Sequence, residues 1–171
     1  MDKYSLRNKE IRNLIRDFSK DYVIDDLEIL QKSKLGVDCL ELEDAKIYFF
    51  NKIPLMIRIR EKLYPSLFFD LILARLPQIY VDLGAIAYIC NGADIMRPGI
   101  RKIKGKIEKG STVLIRDETH SKNLAIGVSL VNEEEMSSMK KGKVIKNIHY
   151  VGDRIWNLIS KESIKKFKEN R

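Results

Sequence analysis

Residues 84–100 are the part of the chain whose residue types and spacing could do chemistry, because they join a short apolar helix to a basic loop bracketed by glycines. Gly92 and Gly99 lack a Cβ, so both could take positive φ and bring main-chain N–H groups close to a ligand. Pro98 should favour an extended conformation at Arg97 and so fix the direction of its guanidinium. Such a loop suits a phosphate backbone and offers no catalytic side chain. On spacing alone, the simpler interpretation is a helix end at Gly92 followed by a turn.

The titratable side chains elsewhere form no pattern typical of a catalytic or metal site. Neither His120 nor His149 has the companions that metal ligation or proton transfer requires. Packing or a hydrogen bond near the last strand explains His149 more simply. Asp94 and Asp153 are not a catalytic carboxylate pair. The preference of aspartate for turns explains Asp94 beside Gly92, and capping of the turn that follows Gly152 explains Asp153. We therefore predict no catalytic residue, no metal, no cofactor and no small-molecule substrate, and a protein that is not an enzyme.

The composition allows one good core or two small ones, since 44% of the 171 residues are hydrophobic. The longest apolar runs are far shorter than the roughly 20 residues of a membrane span, and the first residues are charged where a signal peptide would be apolar. Cys39 and Cys90 stand alone in apolar surroundings, which favours buried thiols over a disulfide or metal site. We expect a soluble cytoplasmic protein that does not bind membranes.

Positive charge is concentrated in the second part of the chain, whose net charge as a whole is +8. Residues 1–75 carry 14 Lys and Arg against 13 Asp and Glu, whereas residues 76–171 carry 18 against 11. An excess of this kind on a folded domain is expected of a surface that binds nucleic acid. A solvated lysine-rich face is the alternative, because such sequences are also common in AT-rich genomes and thermophiles.

The first part of the chain is predicted to be a small α+β domain. Apolar residues at helical spacing predict a helix over residues 5–20, with Ser5 as its N-cap. Runs rich in β-branched or aromatic residues predict strands over residues 22–30, 37–42, 47–50 and 53–59. Pro65 could occupy the first turn of a helix that ends at Leu76 and has Leu67, Leu71 and Ala74 on one face. Pro77 then marks a domain boundary.

The second part of the chain is predicted to be a small barrel built from many short strands. Strands are expected over residues 78–81, 103–107, 111–116, 124–131 and 144–150. Asn132 is a good N-cap for a helix over residues 133–139, whose three leading glutamates favour the helix dipole. The basic tail, residues 157–171, has apolar residues at approximately helical spacing and could form an amphipathic helix.

Three blocks of the second part, in order, resemble a PUA domain, the RNA-binding pseudo-barrel found in pseudouridine synthases and archaeosine transglycosylases. They are Val-Asp-Leu-Gly-Ala-Ile at residues 81–86, Asn-Gly-Ala-Asp-Ile-Met-Arg-Pro-Gly-Ile at residues 91–100, and the closing segment at residues 142–156. The whole chain resembles archaeal relatives of the malignant T-cell amplified sequence family and of the amino-terminal region of ligatin. The resemblance implies a small α+β domain, residues 1–75, packed on a PUA-type pseudo-barrel with short helices, residues 76–156.

In PUA domains the first helix, the glycine-containing loop and the last strand face the RNA. The resemblance therefore implies an RNA-binding surface with Arg97 as a phosphate contact. Its members would be Ala85, Gly92, Ala93, Asp94, Met96, Arg97, Pro98, Gly99, Lys143, Lys146 and His149. Arg101 and Lys102 would continue its positive edge, unless they lie on the opposite side of their strand and are merely solvated. Small residues and main-chain groups are appropriate there, because helical RNA is recognised mainly through shape, phosphates and 2′-hydroxyls.

The function implied by this resemblance is binding of structured tRNA or rRNA, in translation or RNA modification. A translation factor or the small ribosomal subunit would be a further partner. The alternative is a protein adapter whose first domain binds such a factor and whose PUA domain has little affinity for RNA. An RNA-modifying enzyme is disfavoured, because the first domain shows no nucleophile, metal cluster or cofactor loop.

Overall fold

Short runs of β-branched and aromatic residues become strands in both parts of the chain, which divides into the units Met1–Ala74 and Arg75–Arg171. The computed structural model describes residues 2–23 and 36–169. Within these residues, no helix is long and apolar enough to cross a membrane. We call the two parts the amino-terminal unit and the carboxy-terminal unit.

The amino-terminal unit is built on an antiparallel sheet with the strand order β1-β2-β3-β4-β5. Its strands are β1 (Asp2–Ser5), β2 (Val37–Glu41), β3 (Ala45–Phe50), β4 (Ile53–Ile59) and β5 (Lys62–Pro65). Helix α1 (Asn8–Ser19) buries Ile11, Leu14, Ile15 and Phe18, as the helical spacing predicts. A single short turn of helix, α2 (Asp70–Leu73), follows β5.

Both ends of this sheet differ from the prediction. Ser5 is not a helix cap, because it ends β1 and its hydroxyl donates to Asp38 Oδ1 at 2.6 Å. Pro65 lies in β5 and not in a helical turn. The helix predicted after it is confined to α2, and Leu71 and Ala74 are exposed, so the predicted apolar face does not form.

The segment after α1 is not a strand where the structure describes it. Tyr22 and Val23 have no strand pairing, and the Tyr22 ring stacks on Phe18 with their centroids 4.4 Å apart. Residues 24–30 of the predicted strand lie outside the described residues.

The carboxy-terminal unit is a sheet with the strand order β7-β11-β10-β9-β6-β8 that curls into a half-barrel. Its strands are β6 (Gln78–Val81), β7 (Ile95–Met96), β8 (Ile100–Lys104), β9 (Thr112–Asp117), β10 (Asn123–Ser129) and β11 (Lys143–Tyr150). All pairs are antiparallel except β6 with β9. Its helices are α3 (Leu83–Ile89), α4 (Glu133–Ser138) and α5 (Arg154–Glu169).

The inside of this half-barrel is filled by aliphatic side chains such as Ile79, Ile89, Ile115 and Val144. Gly127 lies where β10 and β11 change register, and a Cβ there would clash with Ile145 Cγ2 and lie 2.9 Å from Lys146 O. The strands therefore approach too closely at this point for any side chain.

The predicted elements of this unit are confirmed with two shifts. The strand expected over residues 103–107 is instead β8, and α5 begins at Arg154, ahead of the expected tail. Asn132 caps α4 as predicted, because its Oδ1 accepts from Glu135 N at 2.8 Å. The short turn Arg97–Gly99 is a 3₁₀ helix that joins β7 to β8, which lie at opposite edges of the sheet.

Candidate nucleic-acid interface

Asp82 positions the start of α3. Its Oδ1 accepts a hydrogen bond from Ala85 N at 2.9 Å, the geometry of an N-cap. Its Oδ2 accepts from Arg101 Nη2 at 2.7 Å, and its own N–H donates to Gly99 O at 3.0 Å. The first turn of α3 is thereby bonded to the beginning of β8.

Gly99 lies close to α3, but not with the backbone conformation that was considered for it. Its φ does not lie in the left-handed region, so the predicted positive φ is wrong. A Cβ on Gly99 would lie 3.2 Å from Ala85 Cβ, which is tighter than ordinary packing. Glycine therefore allows the 3₁₀ helix to approach α3 closely.

Gly92 does take the predicted positive φ, at +92°. Its N–H donates to Ile89 O at 3.0 Å and so ends α3, as the simpler interpretation expects. A Cβ on Gly92 would lie 2.9 Å from Tyr150 Oη. The main chain of the loop thus lies directly against the ring of Tyr150. We refer to residues 91–94 as the glycine loop.

Asn147 holds the glycine loop, a role that was not predicted from the sequence. Its Nδ2 donates to Ile89 O and to Ala93 O, each at 3.0 Å. Its main-chain N–H donates to Asp94 Oδ1 at 2.8 Å. One residue of β11 therefore binds the end of α3 before the loop and the last two residues of the loop. No local sequence signal marks it, since its partners are more than fifty residues away.

Asp94 connects the loop to a lysine. Its Oδ2 lies 2.6 Å from Lys143 Nζ, in a pair whose side chains remain 24% and 53% exposed. Burial alone would raise the pKa of Asp94, but the pKa is lowered overall, because Lys143 and Asn147 N donate to its carboxylate and Lys146 adds positive charge nearby. Asp94 therefore places a negative charge beside Lys143 and Lys146 of β11.

Arg97 is partly buried and bonded to the protein itself. Its Nε donates to Met136 O at 2.6 Å, and its Nη1 lies 3.4 Å from Ile100 O. Its main-chain N–H donates to Gly142 O at 2.8 Å. The predicted extended conformation is wrong, because Arg97 begins the 3₁₀ helix. This guanidinium joins the turn to α4, and a phosphate contact by Arg97 stays a prediction.

His149 is fully buried, so the prediction that it lies on an exposed RNA-binding surface is wrong. Its Nδ1 lies 2.7 Å from Asp153 Oδ2, in line with the expected hydrogen bond near the last strand. Burial alone would raise the pKa of Asp153, but His149 and the N–H groups of Trp156 and Tyr150 lower it overall. Asp153 also caps α5, because its Oδ1 accepts from Trp156 N at 2.6 Å.

The other predicted site residues divide into two groups by exposure. Those that are exposed are Gly92, Ala93, Met96, Pro98, Arg101, Lys102, Lys143 and Lys146; those that are partly buried are Ala85, Asp94, Arg97 and Gly99. The exposed lysines Lys140 and Lys141 lie one residue before β11, separated from it by Gly142. The structure thus brings the glycine loop together with the lysines of β11, and it joins Arg101 to the opposite end of α3.

The outer face of α3 is a second feature that was not predicted from the sequence. Leu83 is 62% exposed and Tyr88 is 71% exposed. Gly84 and Ala87 are exposed between them. Helical spacing could have found this face, because these residues fall opposite the buried Ile89.

The arrangement offers binding groups rather than reactive ones. Among the described residues, no cluster of three or more His, Cys, Asp and Glu side chains could hold a metal ion. Cys39 is buried as predicted and Cys90 is half-buried, and burial raises the pKa of both thiols. These two thiols are therefore protonated at neutral pH.

Comparison with known proteins agrees with this geometry. Residues 77–151 match the PUA domain, and residues 2–72 match a domain of unknown function, DUF1947. An uncharacterized protein of Methanocaldococcus jannaschii is 34% identical over 158 residues, which span 91% of this chain and 95% of the relative. The chain belongs to this family of PUA-domain proteins. The carboxy-terminal unit is its PUA domain, and the amino-terminal unit is its DUF1947 domain.

Two further similarities extend over nearly the whole chain. Translation machinery-associated protein 20 of Saccharomyces cerevisiae is 33% identical over 172 residues, covering 91% of this chain and 89% of the yeast protein. The crystal structure of a hypothetical protein from Pyrococcus horikoshii matches with a TM-score of 0.73 and 30% identity, covering 92% of this chain and 99% of the other. The chain is thus similar to a solved archaeal structure over nearly the whole length of both.

Proposed function

We propose that this protein binds structured RNA through one surface of its PUA domain and acts in translation. The surface consists of α3, the glycine loop and the exposed lysines of β11. The observation that carries the proposal is the fixed position of the glycine loop beside Lys143, produced by Asn147 and Asp94. A loop held in this way presents its main chain and nearby cations in one constant arrangement.

This combination suits RNA better than it suits a small molecule. Phosphate and sugar contacts come from main-chain N–H groups and from lysine, and they position a nucleic acid without reading its bases. Helical RNA exposes 2′-hydroxyls and a shallow minor groove, against which a small-residue loop can lie closely. The excess of positive charge in residues 76–171 adds attraction over a longer range.

The relatives supply the cellular context. The yeast relative is named for its association with the translation machinery, and the similarity covers both domains. We infer that this protein also works with that machinery in the cytosol, on tRNA or rRNA. The described residues offer binding groups throughout this surface, so the proposed role is positioning of RNA and not its chemical modification.

The test is RNA binding across a salt series with matched charge reversals. The first variant is Lys143→Glu/Lys146→Glu in β11, and the control is Lys9→Glu/Arg12→Glu on the exposed side of α1. Both change the net charge equally. Binding to total tRNA and to small-subunit rRNA should weaken with salt, and the β11 variant should reduce the slope of log K against log salt by about 1–2, because each phosphate contact contributes roughly 0.7–0.9.

The outcome separates RNA recognition from an adapter role. Loss of affinity in the β11 variant with a nearly unchanged α1 variant supports the proposal, provided that both melt like the wild type. Equal loss in both variants would mean non-specific attraction to a basic protein. Weak binding that neither variant changes would overturn the proposal and favour an adapter that acts through protein contacts.

A further inference from the structure

β8 is an edge strand of the PUA sheet, and one of its two sides pairs with no other strand in the described part of the chain. The strand order β7-β11-β10-β9-β6-β8 places it at the end of the sheet, where β6 is its neighbour. An unpaired edge offers main-chain N–H and C=O groups to any strand that can lie beside it. β8 therefore has the main-chain groups that binding of an extended peptide requires.

The other sheet edges of the described residues differ from β8. The edge strand β7 has only two residues. β5 ends in Pro65, which lacks an N–H, and the carbonyl of Leu63 in this strand accepts a hydrogen bond from Tyr22 Oη at 3.3 Å. β1 is open, but it carries Asp2 next to Lys3, so its charge is mixed. β8 is the open edge whose exposed side chains are all positive.

Two of these cations lie on one face of the sheet. Lys102 and Lys104 are two residues apart in β8, so they project to the same side. Lys102 Nζ lies 5.5 Å from the centroid of the Tyr80 ring, and Arg116 Cζ lies 5.9 Å from the same centroid. The strand register places Lys102, Tyr80 and Arg116 in one row across β8, β6 and β9. This row contains no acid, so a carboxylate fits at its outer end, beside Lys102.

The opposite face of β8 is aliphatic. Ile100 is buried, and Ile103 is partly buried against the core of the half-barrel. A strand in which acidic and aliphatic residues alternate would match both faces, with its carboxylates beside the two lysines and its aliphatic side chains beside Ile103. Lys104 has no charged partner among the described residues, so its ammonium group is available to such a carboxylate.

We propose that β8 binds an acidic, extended segment of a partner protein, which adds to the PUA sheet as a further strand. β8 lies outside the RNA surface proposed above, so this is a second binding site. Lysines on an edge strand keep two copies of the same strand apart. Like charges therefore exclude a second copy of this chain, whereas an acidic strand gains a cross-strand ion pair at each lysine. RNA supplies negative charge but no row of N–H and C=O groups that could pair with the edge.

The test uses the full chain and a short synthetic peptide, blocked at both ends, in which glutamate and valine alternate. NMR should show slower amide hydrogen exchange in β8 when the peptide binds, since pairing places its free N–H groups in hydrogen bonds. Lys102→Glu/Lys104→Glu should weaken binding roughly tenfold, because two cross-strand pairs change from attraction to repulsion. The control Lys140→Glu/Lys141→Glu makes the same change of charge at exposed residues outside any strand and should stay within about twofold of the wild type.

A second peptide separates strand pairing from charge. It has proline in place of each valine, which keeps all the glutamates but removes alternate N–H groups and does not fit a strand. The wild type should bind it at least roughly tenfold more weakly than the first peptide, since several main-chain hydrogen bonds are lost. This comparison needs no variant of the protein, so it decides the question even if Lys102→Glu/Lys104→Glu does not fold.

Four results would overturn the proposal. Equal binding of the two peptides would mean that charge alone attracts them, and so would an equal loss of affinity in the Lys140→Glu/Lys141→Glu control. Absence of binding to either peptide would mean that the lysines only protect the edge. Slower exchange in β8 with single-stranded oligouridylate, and not with the peptide, would make RNA the ligand of this edge. The RNA test with Lys143→Glu/Lys146→Glu is independent of all four, so each proposal can fail while the other stands.

Discussion

Two surface loops of the PUA domain are fixed in opposite ways. In the turn over residues 117–122, Asp117 accepts hydrogen bonds from the N–H groups of Thr119, His120 and Lys122 at 2.9, 2.6 and 2.9 Å. All three donors lie within five residues of the carboxylate. The glycine loop is instead held by Asn147, whose partners lie 53, 54 and 58 residues away in the sequence.

The difference shows how each loop can be used. The turn of Asp117 is closed mainly by bonds within it, to the Asp117 carboxylate and main chain, and Glu118 N also donates to Val81 O at the end of β6 at 3.0 Å. The glycine loop depends on β11, the strand that also carries Lys143 and Lys146. Its main chain and these cations consequently keep a constant spacing, which is what recognition of a regular phosphate backbone requires.

Removing the side-chain hydrogen bonds of Asn147 should have the largest effect on stability and RNA affinity. Asn147→Leu preserves the side-chain volume but removes the donors to Ile89 O and Ala93 O. We expect the PUA domain to lose about 1–3 kcal/mol of unfolding free energy, because one of these carbonyls is partly buried. RNA affinity should fall by roughly tenfold or more, about 1.4 kcal/mol. Trp156, the one tryptophan of the chain, lies in this unit and reports its urea unfolding.

The matched variant is Asp117→Ala, which removes the acceptor of the local turn. It should lower stability while RNA affinity stays within about twofold of the wild type when both are folded, a difference below roughly 0.5 kcal/mol. A comparable loss of RNA affinity in both variants would mean that general destabilisation, and not the attachment of the glycine loop to β11, explains the result.

Alanine substitutions at Gly92 and Gly110 separate two costs, namely the contact of the glycine loop with Tyr150 and the strain of a positive φ. Both have positive φ, at +92° and +88°. Alanine at Gly110 meets no atom within 4 Å, so its cost is that of the backbone alone, about 1 kcal/mol. Alanine at Gly92 would also come within 2.9 Å of Tyr150 Oη. We expect Gly92→Ala to cost about 1 kcal/mol more than Gly110→Ala in urea unfolding.

Equal costs at the two glycines would mean that Tyr150 moves aside freely and that the loop is not fixed against it. A second readout is RNA affinity at low salt. Gly92→Ala should weaken it and Gly110→Ala should not, because only the first glycine lies in the proposed surface.

Local patterns in the sequence predicted much of this fold. The spacing of Ile11, Leu14 and Phe18 found α1, and the strand β4 was predicted with its observed bounds. Asn132 and Asp153 were predicted as caps, because capping depends on residues only a few positions away. The order of motifs was enough to identify the PUA domain.

What the sequence could not supply depended on distant partners. Ser5 has the chemistry of a helix cap, but pairing of β1 with β2 places it opposite Asp38. Pro65 suits a first helical turn, yet the edge position of β5 accommodates it because the outer side of an edge strand needs no donor. Nothing near Arg97 in the sequence predicts that its Nε donates to Met136 O, because Met136 lies thirty-nine residues further along the chain.

The local turn also predicts a pH effect on stability. The hydrogen bond from His120 N, followed by those from Lys122 N and Thr119 N, lowers the pKa of Asp117, against the raising effect of desolvation. A carboxyl whose pKa is lower in the folded state stabilises the fold above its unfolded pKa, about 3.9 for aspartate, and that contribution disappears as the pH falls through the folded pKa. The destabilisation caused by Asp117→Asn should therefore shrink on acidification.

Thermal midpoints of wild type and Asp117→Asn across the range from neutral to acidic pH test this sign. The two curves should converge at low pH. A gap that widens on acidification would show that Asp117 is not a carboxylate stabilised by the folded turn.

The smallest expected effect is that of Asp94→Asn. It separates the charge of Asp94 beside Lys143 from the hydrogen bond by which Asn147 holds the glycine loop. Asp94→Asn keeps an oxygen that can accept from Asn147 N, so the glycine loop should stay in place. It removes the negative charge that lies 2.6 Å from Lys143 Nζ, and this lysine then becomes available to phosphate. Because the pair is partly exposed, its contribution to stability is expected to be below about 1 kcal/mol.

We therefore expect RNA affinity at low salt to rise by about two- to fivefold in Asp94→Asn, an increase that added salt should reverse. Glu108→Gln makes the same change of charge at an exposed pair with Lys106 in the PUA domain. If both variants gain equally, only net charge matters. If Asp94→Asn loses affinity instead, the carboxylate itself contacts the RNA, and Asp94 belongs to the binding surface in its own right and not as the partner of Lys143.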